Sequence, residues 1–392
     1  RNLRTYLFNP NDASEKPVVM NERNYQDRYS DPGSFVTKKN EYGRNVIEQD
    51  GDNFYLLGDG YSDDGVHPFV DQMNIKTMKT VRLYQSKMEG KLESISTSIS
   101  MKKGEILTRV ESPTDYPNYY IRNIKKRMAP RQITFVQNPF TGMDKIHKEV
   151  IKYKRDDGLE LSAVMYLPSG YDTRNPEKLP MLMWAYPEEF KDKSSAGQIT
   201  NSPYEFIYPY YGSFIYWVNK GYVVLDDVSF PIVGEGEKEP NDNFISQLVS
   251  NAKAAIDAVD ELGYVDRERV AVGGHSYGAF MTANLLTHSD LFAAGIARSG
   301  AYNRTLTPFG FQSEERNYWE APEIYYNMGP FMHAEKMKHP LLLIHGGADN
   351  NSGTYTMQSE RYFNALKGLG ATARLVVLPK ESHGYSAKES IM

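Results

Sequence analysis

The sequence feature that most constrains the fold is a short run in which a β-prone stretch breaks into glycines and a helix begins. Residues 274–278 read Gly-His-Ser-Tyr-Gly, after the apolar run 269–273 and before an apolar segment at 277–286. In a nucleophile elbow the serine occupies a strained strand-to-helix turn, and the residues two before and two after it need almost no side chain. Gly274 and Gly278 meet that requirement, so the pattern predicts Ser276 at the tip of such a turn.

From about residue 140 onwards, β-prone runs alternate with amphipathic helical segments. We expect strands at 149–153, 159–166, 180–186, 222–228, 269–274, 292–297, 340–344 and 373–378, and helices at 205–219, 244–262, 277–286 and 354–369. This alternation predicts an α/β fold with a mainly parallel sheet covered on both faces. Ligands bind such sheets at the carboxyl ends of the strands.

The first 140 residues follow a different pattern. Short runs rich in β-branched and aromatic residues alternate with turn clusters, at 4–8, 35–38, 54–57, 81–85, 93–98, 106–110, 119–124 and 132–136. No run in this stretch has a helical period. The pattern predicts an antiparallel all-β module, a sandwich or a set of propeller blades. We therefore divide the chain into a β-rich segment, 1–140, and an α/β domain, 141–392.

Composition excludes several kinds of chemistry. The chain has 392 residues, 40% of them hydrophobic and 24% charged, which is typical of a soluble globular protein with two domains. Because cysteine is absent, disulfides, thiolate catalysis and cysteine-ligated metals are excluded. The net charge of -5 gives no electrostatic reason to expect nucleic acid, and no apolar run is long enough for a membrane span. The scattered histidines lack ligand spacing, so we expect no metal and no cofactor.

The remaining members of a catalytic triad are found at two predicted strand ends. A serine hydroxyl needs a neighbouring base and a third group that orients this base, and in elbow folds these follow in the order Ser, acid, His. Asp349 follows the strand predicted at 340–344, and His383 follows the one at 373–378. We therefore predict Ser276 as the nucleophile, His383 as general base and then acid, and Asp349 as the carboxylate that fixes the tautomer of His383.

Other residues compete for two of these roles. His275 adjoins the nucleophile and is the alternative base, although consecutive side chains diverge at so tight a turn. Asp226 and Asp227 end another predicted strand and are the alternative acids. We interpret His345 as a structural histidine that supports the acid loop.

An acyl-transfer site also needs two donors for the oxyanion. The backbone N–H of Tyr277, directly after the nucleophile, is the first candidate. The loop after the strand at 180–186 contains Tyr186 followed by Pro187. Because proline has no N–H, Tyr186 is the better second donor, through its hydroxyl.

These motifs resemble those of the prolyl oligopeptidase family of serine peptidases, in which an α/β-hydrolase domain follows an N-terminal β-propeller. The resemblance is carried by Gly-Gly-His-Ser-Tyr-Gly-Ala-Phe at 273–280, His-Gly-Gly-Ala-Asp at 345–349 and Ser-His-Gly-Tyr at 382–385. It is closest to the glutamyl endopeptidase branch, known from chloroplasts and bacteria, through residues 184–187, 232–236 and 298–311. It implies a peptide or protein substrate, no cofactor, and a tyrosine oxyanion donor at the position of Tyr186.

The resemblance also sets expectations for the domains. A complete propeller of seven or eight blades, each of roughly 40 to 45 residues, is longer than the segment before residue 141. Residues 1–140 are therefore expected to be the last blades of a propeller, and the chain to be the carboxyl portion of a longer protein. The closing helix of such a domain is expected to be missing, because only nine residues follow His383.

In the family, the segment after the strand predicted at 292–297 forms part of the substrate pocket. In this chain Arg304 stands there among three aromatic residues, Tyr302, Phe309 and Phe311. Arginine pairs bidentately with carboxylates, so the resemblance implies cleavage after glutamate or aspartate. Alternatively, Arg304 caps the loop or pairs with Glu314 or Glu315, and Arg298 is the pocket cation.

Three functions therefore stay open. They are a serine peptidase, an esterase or lipase with the same triad, and a non-catalytic propeller and hydrolase-like module that binds partners. Whether the chain cleaves internally or from an end, its oligomeric state, and its compartment, whether plastid, cytoplasm or outside the cytoplasm, are left open by the sequence.

Overall fold

The computed structural model describes residues 2–12, 14–126, 128–143, 145–210 and 212–391. Within it the chain forms two compact units. The first comprises Arg1–Asp144 and Gln198–Tyr208, and the second comprises Lys145–Gly197 and Pro209–Met392. The second unit contains the elbow and every residue proposed above for the site.

The first unit consists of short strands, and all pairings between its described strands are antiparallel. One sheet has five strands and another has four, and each of the three remaining sheets is a single pair. The all-β, antiparallel character predicted for this region is therefore confirmed. The strands are β1 (Asn2–Leu7), β2 (Val18–Asn24), β3 (Ser34–Phe35), β4 (Thr37–Lys39), β5 (Asn45–Ile47), β6 (Gln49–Asp50), β7 (Asn53–Gly58), β8 (Tyr61–Ser62), β9 (Gly65–Val66), β10 (Phe69–Asn74), β11 (Thr80–Gln85), β12 (Leu92–Ser100), β13 (Glu105–Glu111), β14 (Asn118–Asn123) and β15 (Arg131–Gln132).

The second unit is built on one eight-stranded sheet with the order β16-β17-β20-β18-β22-β23-β24-β25. Strand β17 pairs antiparallel with both neighbours, and the strands from β20 to β25 along this order are parallel. A separate pair, β19 and β21, lies outside this sheet. The strands are β16 (His147–Lys154), β17 (Glu160–Leu167), β18 (Leu179–Ala185), β19 (Glu188–Phe190), β20 (Val223–Val228), β21 (Pro231–Val233), β22 (Val265–His275), β23 (Ala294–Arg298), β24 (Leu341–Gly346) and β25 (Ala373–Leu378).

The helices of this unit include two long ones that pack near the centre of the sheet. They are α1 (Lys193–Ala196), α2 (Phe244–Glu261), α3 (Tyr277–His288), α4 (Pro322–Met328), α5 (Met357–Gly368) and α6 (Lys388–Ile391), with 3₁₀ helices at Phe214–Lys220, Pro240–Asn243, Arg304–Leu306 and Pro330–Lys336. Helix α2 buries one apolar stripe that includes Leu248, Ile256 and Val259. Helix α3 is buried on all sides, which explains why its sequence is apolar without a polar face. Among the described helices, none has the length and apolar character needed to cross a membrane.

The helix predicted at 205–219 is wrong. Only its second half is helical, as the 3₁₀ turn Phe214–Lys220, and Pro209 lies where an α-helix would need its N–H. Residues 205–208 belong to the first unit instead. There the Phe206 N–H donates to Glu111, and its ring packs edge-on against Tyr116 at 5.2 Å. Contacts distant in sequence therefore override the local helical pattern.

Buried Arg155 connects the turn between β16 and β17 to helix α2. Its guanidinium donates to both carboxylate oxygens of Asp157 at 2.9 Å, to Asn251 at 2.9 Å, to Gln247 at 3.3 Å and to the carbonyl of Pro231 at 3.2 Å. The same guanidinium holds the pKa of the Asp157 carboxyl well below its usual range. This network fixes α2, which in turn packs against α3.

We expect Arg155→Met to lower the free energy of unfolding by about 2–4 kcal/mol, because it leaves buried acceptors without a donor. Urea unfolding followed by circular dichroism measures the change. The matched control is Arg174→Met, since the Arg174 side chain is 94% exposed and its ion pair with Asp172 is long, at 3.7 Å. It should alter stability by less than about 0.5 kcal/mol. Equal losses in the two variants would contradict a structural role for the Arg155 network.

Candidate active site

Ser276 occupies a sharp turn between β22 and α3. Its backbone has φ 59° and ψ −113°, a conformation that L-residues rarely adopt, and its N–H donates to the Arg298 carbonyl at 2.7 Å. A Cβ at position 274 would lie 2.3 Å from the Gly278 backbone, and one at position 278 would lie 2.5 Å from the Ala185 carbonyl oxygen. The two glycines are therefore required by close backbone approach, as the elbow motif predicts.

Asp349 and His383 meet at the carboxyl ends of β24 and β25, which are neighbours in the sheet. The His383 Nδ1 lies 2.8 Å from Asp349 Oδ2, and the Asp349 side chain is fully buried. A carboxylate can only accept, so Nδ1 is the donor in this hydrogen bond, and Nε2 is the ring nitrogen left to act as a base. The Ala348 N–H also donates to the Glu381 carbonyl at 2.9 Å, which joins the two loops.

Two further contacts hold the Asp349 carboxylate. Its Oδ1 accepts from the Asn351 N–H at 3.0 Å, and its Oδ2 accepts from His345 Nε2 at 3.1 Å. The same His345 N–H points at the Thr354 carbonyl at 2.7 Å, while the His345 Nδ1 accepts from Ser359 at 2.6 Å. Burial lowers the pKa of His345 below its usual value, so this ring is neutral. His345 thus supports the acid loop.

His275 lies beside His383, with the two ring centroids 4.7 Å apart. Burial lowers the pKa of His275 to about 4, and its Nδ1 is buried without a hydrogen-bond partner. No hydrogen bond joins the side chains of Ser276 and His383 in the described part of the chain. Catalytic hydrogen bonds are often long before substrate binds, so this arrangement is compatible with a serine and histidine pair.

The alternative acids lie elsewhere. Asp226 and Asp227 are at the end of β20, and three strands separate β20 from β24 in the sheet. Neither forms a hydrogen bond with His383, which is held by Asp349 and lies 3.2 Å from the Thr354 hydroxyl. The order of the strands therefore favours Asp349 as the acid.

The two residues expected to stabilise an oxyanion are adjacent to the elbow. Tyr277 begins α3, and its buried ring donates its hydroxyl to Glu189 at 2.7 Å. Tyr186 follows β18, is 46% exposed, and has its ring 5.9 Å from that of Tyr277. The Tyr186 hydroxyl accepts a hydrogen bond from Gln312 Nε2 at 3.2 Å.

A cavity of about 390 Å³ opens next to the elbow. Its lining combines Ser276 and Tyr277 with the segment 304–312 and the loop 351–355. This volume is within the range that binds small ligands or side chains. The segment predicted to form a specificity pocket therefore borders the candidate nucleophile.

Arg304 is placed in the wall of this cavity and is only 5% exposed. Its guanidinium carbon lies 4.1 Å from the ring centroid of Phe280 and 4.3 Å from that of Phe311. Burial lowers its pKa to about 10, so it remains charged at neutral pH. Its Nε has no hydrogen-bond partner, and it forms no ion pair with any residue that the structure describes.

The alternative partner of Arg304, Glu314, and the alternative pocket cation, Arg298, both have other contacts. Glu314 accepts from Arg316 at 2.7 Å and is therefore committed to that cation. Arg298 lies with its guanidinium carbon 5.0 Å from the Tyr385 ring and 5.6 Å from the Trp184 ring, and it does not line the cavity.

The aromatic residues predicted around Arg304 are not equivalent. Phe311 contacts the guanidinium, and Phe309 lines the cavity although it is 80% exposed. Tyr302 does not line the cavity. Its ring is fully buried and stacks on Tyr362 at 4.7 Å, so the structure places it in the core instead of the pocket wall.

Three residues of the site were not identified from the sequence: Glu189, Gln312 and Thr354. Glu189 lies in the short strand β19, whereas Gln312 and Thr354 lie in loops, and only the fold brings the three to the site. No group of three or more metal-binding side chains occurs among the residues that the structure describes.

Comparisons with known proteins agree with this architecture. Residues 238–392 match the prolyl oligopeptidase family, and residues 157–306 match the X-Pro dipeptidyl-peptidase family. The chain is 47% identical to proteins named "Probable glutamyl endopeptidase, chloroplastic" from Arabidopsis thaliana and from Oryza sativa subsp. japonica. All of the chain is covered in both alignments, but it spans only 42% and 43% of these relatives.

Solved structures share the fold at low sequence identity. Porphyromonas gingivalis dipeptidyl peptidase 4 aligns with 98% of this chain and 58% of its own, with a TM-score of 0.66 and 18% identity. Pyrococcus horikoshii acylaminoacyl peptidase aligns with 85% of this chain and 50% of its own, with a TM-score of 0.58 and 21% identity. These likenesses establish an α/β-hydrolase domain in this chain.

The neutral state of His275 makes stability depend on pH. Its pKa is about 4 in the folded protein and near 6.5 in an unfolded chain, so the unfolded state binds more protons between these values. Stability should therefore fall as the pH is lowered from 6.5 towards 4, by up to about 1.4 kcal/mol per pH unit for this residue. His275→Phe should make the fall less steep in urea unfolding at pH 6.5, 5.5 and 4.5. Parallel curves for the two proteins would contradict a neutral, half-buried His275.

Proposed function

The chain belongs to the prolyl oligopeptidase family through its domain at residues 238–392, and on that basis we propose that it is a serine peptidase. One observation carries the proposal: the hydrogen bond between Asp349 and His383 at neighbouring strand ends, beside an elbow that carries Ser276. A serine that lines the cavity, an orienting acid and a base, in this chain order, make up the machinery for acyl transfer.

In the proposed mechanism, the Ser276 hydroxyl attacks the carbonyl carbon of the peptide bond and gives its proton to His383 Nε2. Asp349 stabilises the resulting imidazolium through the Nδ1 hydrogen bond of 2.8 Å. His383 then donates this proton to the amine of the leaving peptide, and the acyl group remains on Ser276. Water then attacks the acyl carbon and gives a proton to the same histidine, the ester bond to Ser276 breaks, and His383 returns the proton to the Ser276 oxygen as the acid is released.

The oxyanion of each tetrahedral intermediate needs donors that are already in place. We assign the backbone N–H of Tyr277 and the hydroxyl of Tyr186 to this role. The positions of both residues next to the elbow support the assignment.

We further propose that Arg304 selects glutamate, or aspartate, on the acyl side of the cleaved bond. The rings of Phe280 and Phe311 lie close to the guanidinium and remove it from water, which strengthens its attraction for a carboxylate. The absence of an ion pair with any described residue leaves its charge available to a substrate. The name of the 47% identical relatives, glutamyl endopeptidase, is consistent with this specificity.

For the first unit, we propose that its antiparallel sheets are blades of a β-propeller that precedes the α/β-hydrolase domain. The five-stranded and four-stranded sheets have the antiparallel pairing that blades require.

We expect Ser276→Ala and His383→Ala to abolish peptide hydrolysis and labelling by a fluorophosphonate probe. Asp349→Asn should keep the fold but lower kcat by roughly 10⁴-fold, because the amide no longer holds the histidine tautomer. The control is Asp227→Asn, which changes the same group on a strand distant from His383. Normal turnover in Asp349→Asn together with a large loss in Asp227→Asn would refute the assignment of the acid. Hydrolysis of simple esters without hydrolysis of peptides would favour an esterase.

Specificity can be measured as kcat/KM on matched peptides with Glu, Gln, Ala or Pro on the acyl side. Wild type should prefer Glu over Gln by at least about tenfold, and Arg304→Lys should lose most of this preference because lysine cannot pair bidentately. Arg316→Lys is the control in the same segment, since Arg316 is paired with Glu314. A Glu preference that survives the loss of Arg304 would exclude it as the selecting residue, and a preference for Pro would point to the broader family.

A further inference from the structure

The proposed mechanism gives the Tyr186 hydroxyl a single task, which is to donate its proton to the oxyanion. A phenol hydroxyl rotates freely and is both donor and acceptor, so its proton points to a fixed place only if a neighbour occupies its acceptor side. Tyr186 is nearly half exposed, and packing alone does not fix this rotation. Among the residues that the structure describes, Gln312 donates from its Nε2 to the Tyr186 hydroxyl, at 3.2 Å.

We propose that Gln312 is a positioning residue that orients the Tyr186 hydroxyl towards the oxyanion, an inference that rests on the proposed function. By donating an N–H to the phenol oxygen, the Gln312 amide leaves the Tyr186 proton as the outgoing donor. Hydrogen bonds in such a chain strengthen one another, so the Tyr186 O–H also becomes a better donor. No proton is transferred between the two side chains.

The backbone at Gln312 supports a role for its side chain. Phe311 and Glu314 exchange two backbone hydrogen bonds, of 3.3 and 2.9 Å, and enclose a two-residue turn with Gln312 at φ 51°. Glycine is the residue that such a position favours. A glutamine there carries a conformational cost, which a functional side chain would explain.

The turn is anchored to the elbow by one buried carboxylate. Glu189 Oε2 accepts from the Ser313 N–H at 2.6 Å, and Glu189 Oε1 accepts from the Tyr277 hydroxyl at 2.7 Å. Tyr277 contributes the other oxyanion donor through its backbone. The Glu189 carboxylate therefore positions both oxyanion donors. It contacts Tyr277 directly, and it holds Tyr186 through the turn that carries Gln312.

This arrangement also connects the selectivity pocket to the oxyanion site. Arg304, Phe311 and Gln312 belong to one segment that lines the cavity. A substrate side chain that binds Arg304 contacts the segment from which Gln312 reaches Tyr186. Disturbing Gln312 should therefore reduce kcat more than it raises KM.

Two substitutions separate the hydrogen bond from the fold. Gln312→Gly removes the amide and suits the positive φ, so its melting temperature should not fall. Gln312→Glu keeps the shape but replaces the donor with an acceptor that competes for the Tyr186 proton. In the full chain, with a Glu-containing peptide as substrate, each should lower kcat by roughly threefold to tenfold with little change in KM. Gln137→Gly, a change of an exposed glutamine in the first unit, should leave both constants unchanged.

A double-mutant cycle with Tyr186→Phe is the decisive measurement. Tyr186→Phe alone should lower kcat by roughly 10 to 1000-fold. In that background, Gln312→Gly and Gln312→Glu should change kcat by less than about twofold, because the hydroxyl they act on is gone. The same loss in both backgrounds, or normal kcat in Gln312→Glu, would overturn the proposal.

The cycle also distinguishes the inference from the function on which it rests. If Ser276→Ala abolishes hydrolysis but Tyr186→Phe has no effect, the peptidase assignment stands, whereas the oxyanion role of Tyr186 and the role of Gln312 both fall. If wild type neither hydrolyses peptides nor reacts with the fluorophosphonate probe, the proposed function itself has failed.

Discussion

The site depends on the close approach of three backbone segments at the elbow. Gly274 contacts Gly278, and Gly278 in turn contacts the carbonyl of Ala185 at the end of β18, with no space for a Cβ at either glycine. This approach forces Ser276 into its strained conformation and places the start of α3 next to the loop that carries Tyr186. Since α3 is buried on all sides, the surrounding core can hold the strain in place.

A second constraint is the burial of charge around the elbow. The Asp349 carboxylate is fully buried and accepts hydrogen bonds from two histidines and one backbone N–H. Each donor reduces the free-energy cost of burying the negative charge. The hydrogen bond that orients His383 is therefore also one of those that stabilise the buried Asp349 carboxylate. The buried charge of Arg304 has a different environment. It is enclosed by aromatic rings, and no residue that the structure describes forms an ion pair with it.

Predictions from the sequence agree best with the structure where they rest on a local pattern. Ser276, Asp349 and His383 could be placed because each follows an apolar strand, and strand ends on neighbouring parallel strands converge. The residues around the pocket were harder to place. Tyr302 and Phe309 are both aromatic residues of one irregular segment, and without a period nothing in the sequence indicates that the first is buried and the second exposed. Gln312 and Tyr186 are 126 positions apart, so only the fold could bring them together. Residues 205–208 were mispredicted as helical because their partners are in the first unit, distant in sequence.

The return of Gln198–Tyr208 to the first unit bears on how the protein is made. A ribosome delivers the chain from its amino end, and domains usually fold as they emerge. Here the first unit cannot be complete when residue 144 has emerged, because one of its segments follows 53 residues of the second unit. The contacts of the Glu111 carboxylate and the Tyr116 ring with Phe206 cannot form until Phe206 has been synthesised. The first unit can therefore be completed only after residues 198–208 have emerged, and a cut at its first boundary would separate it from part of its own structure.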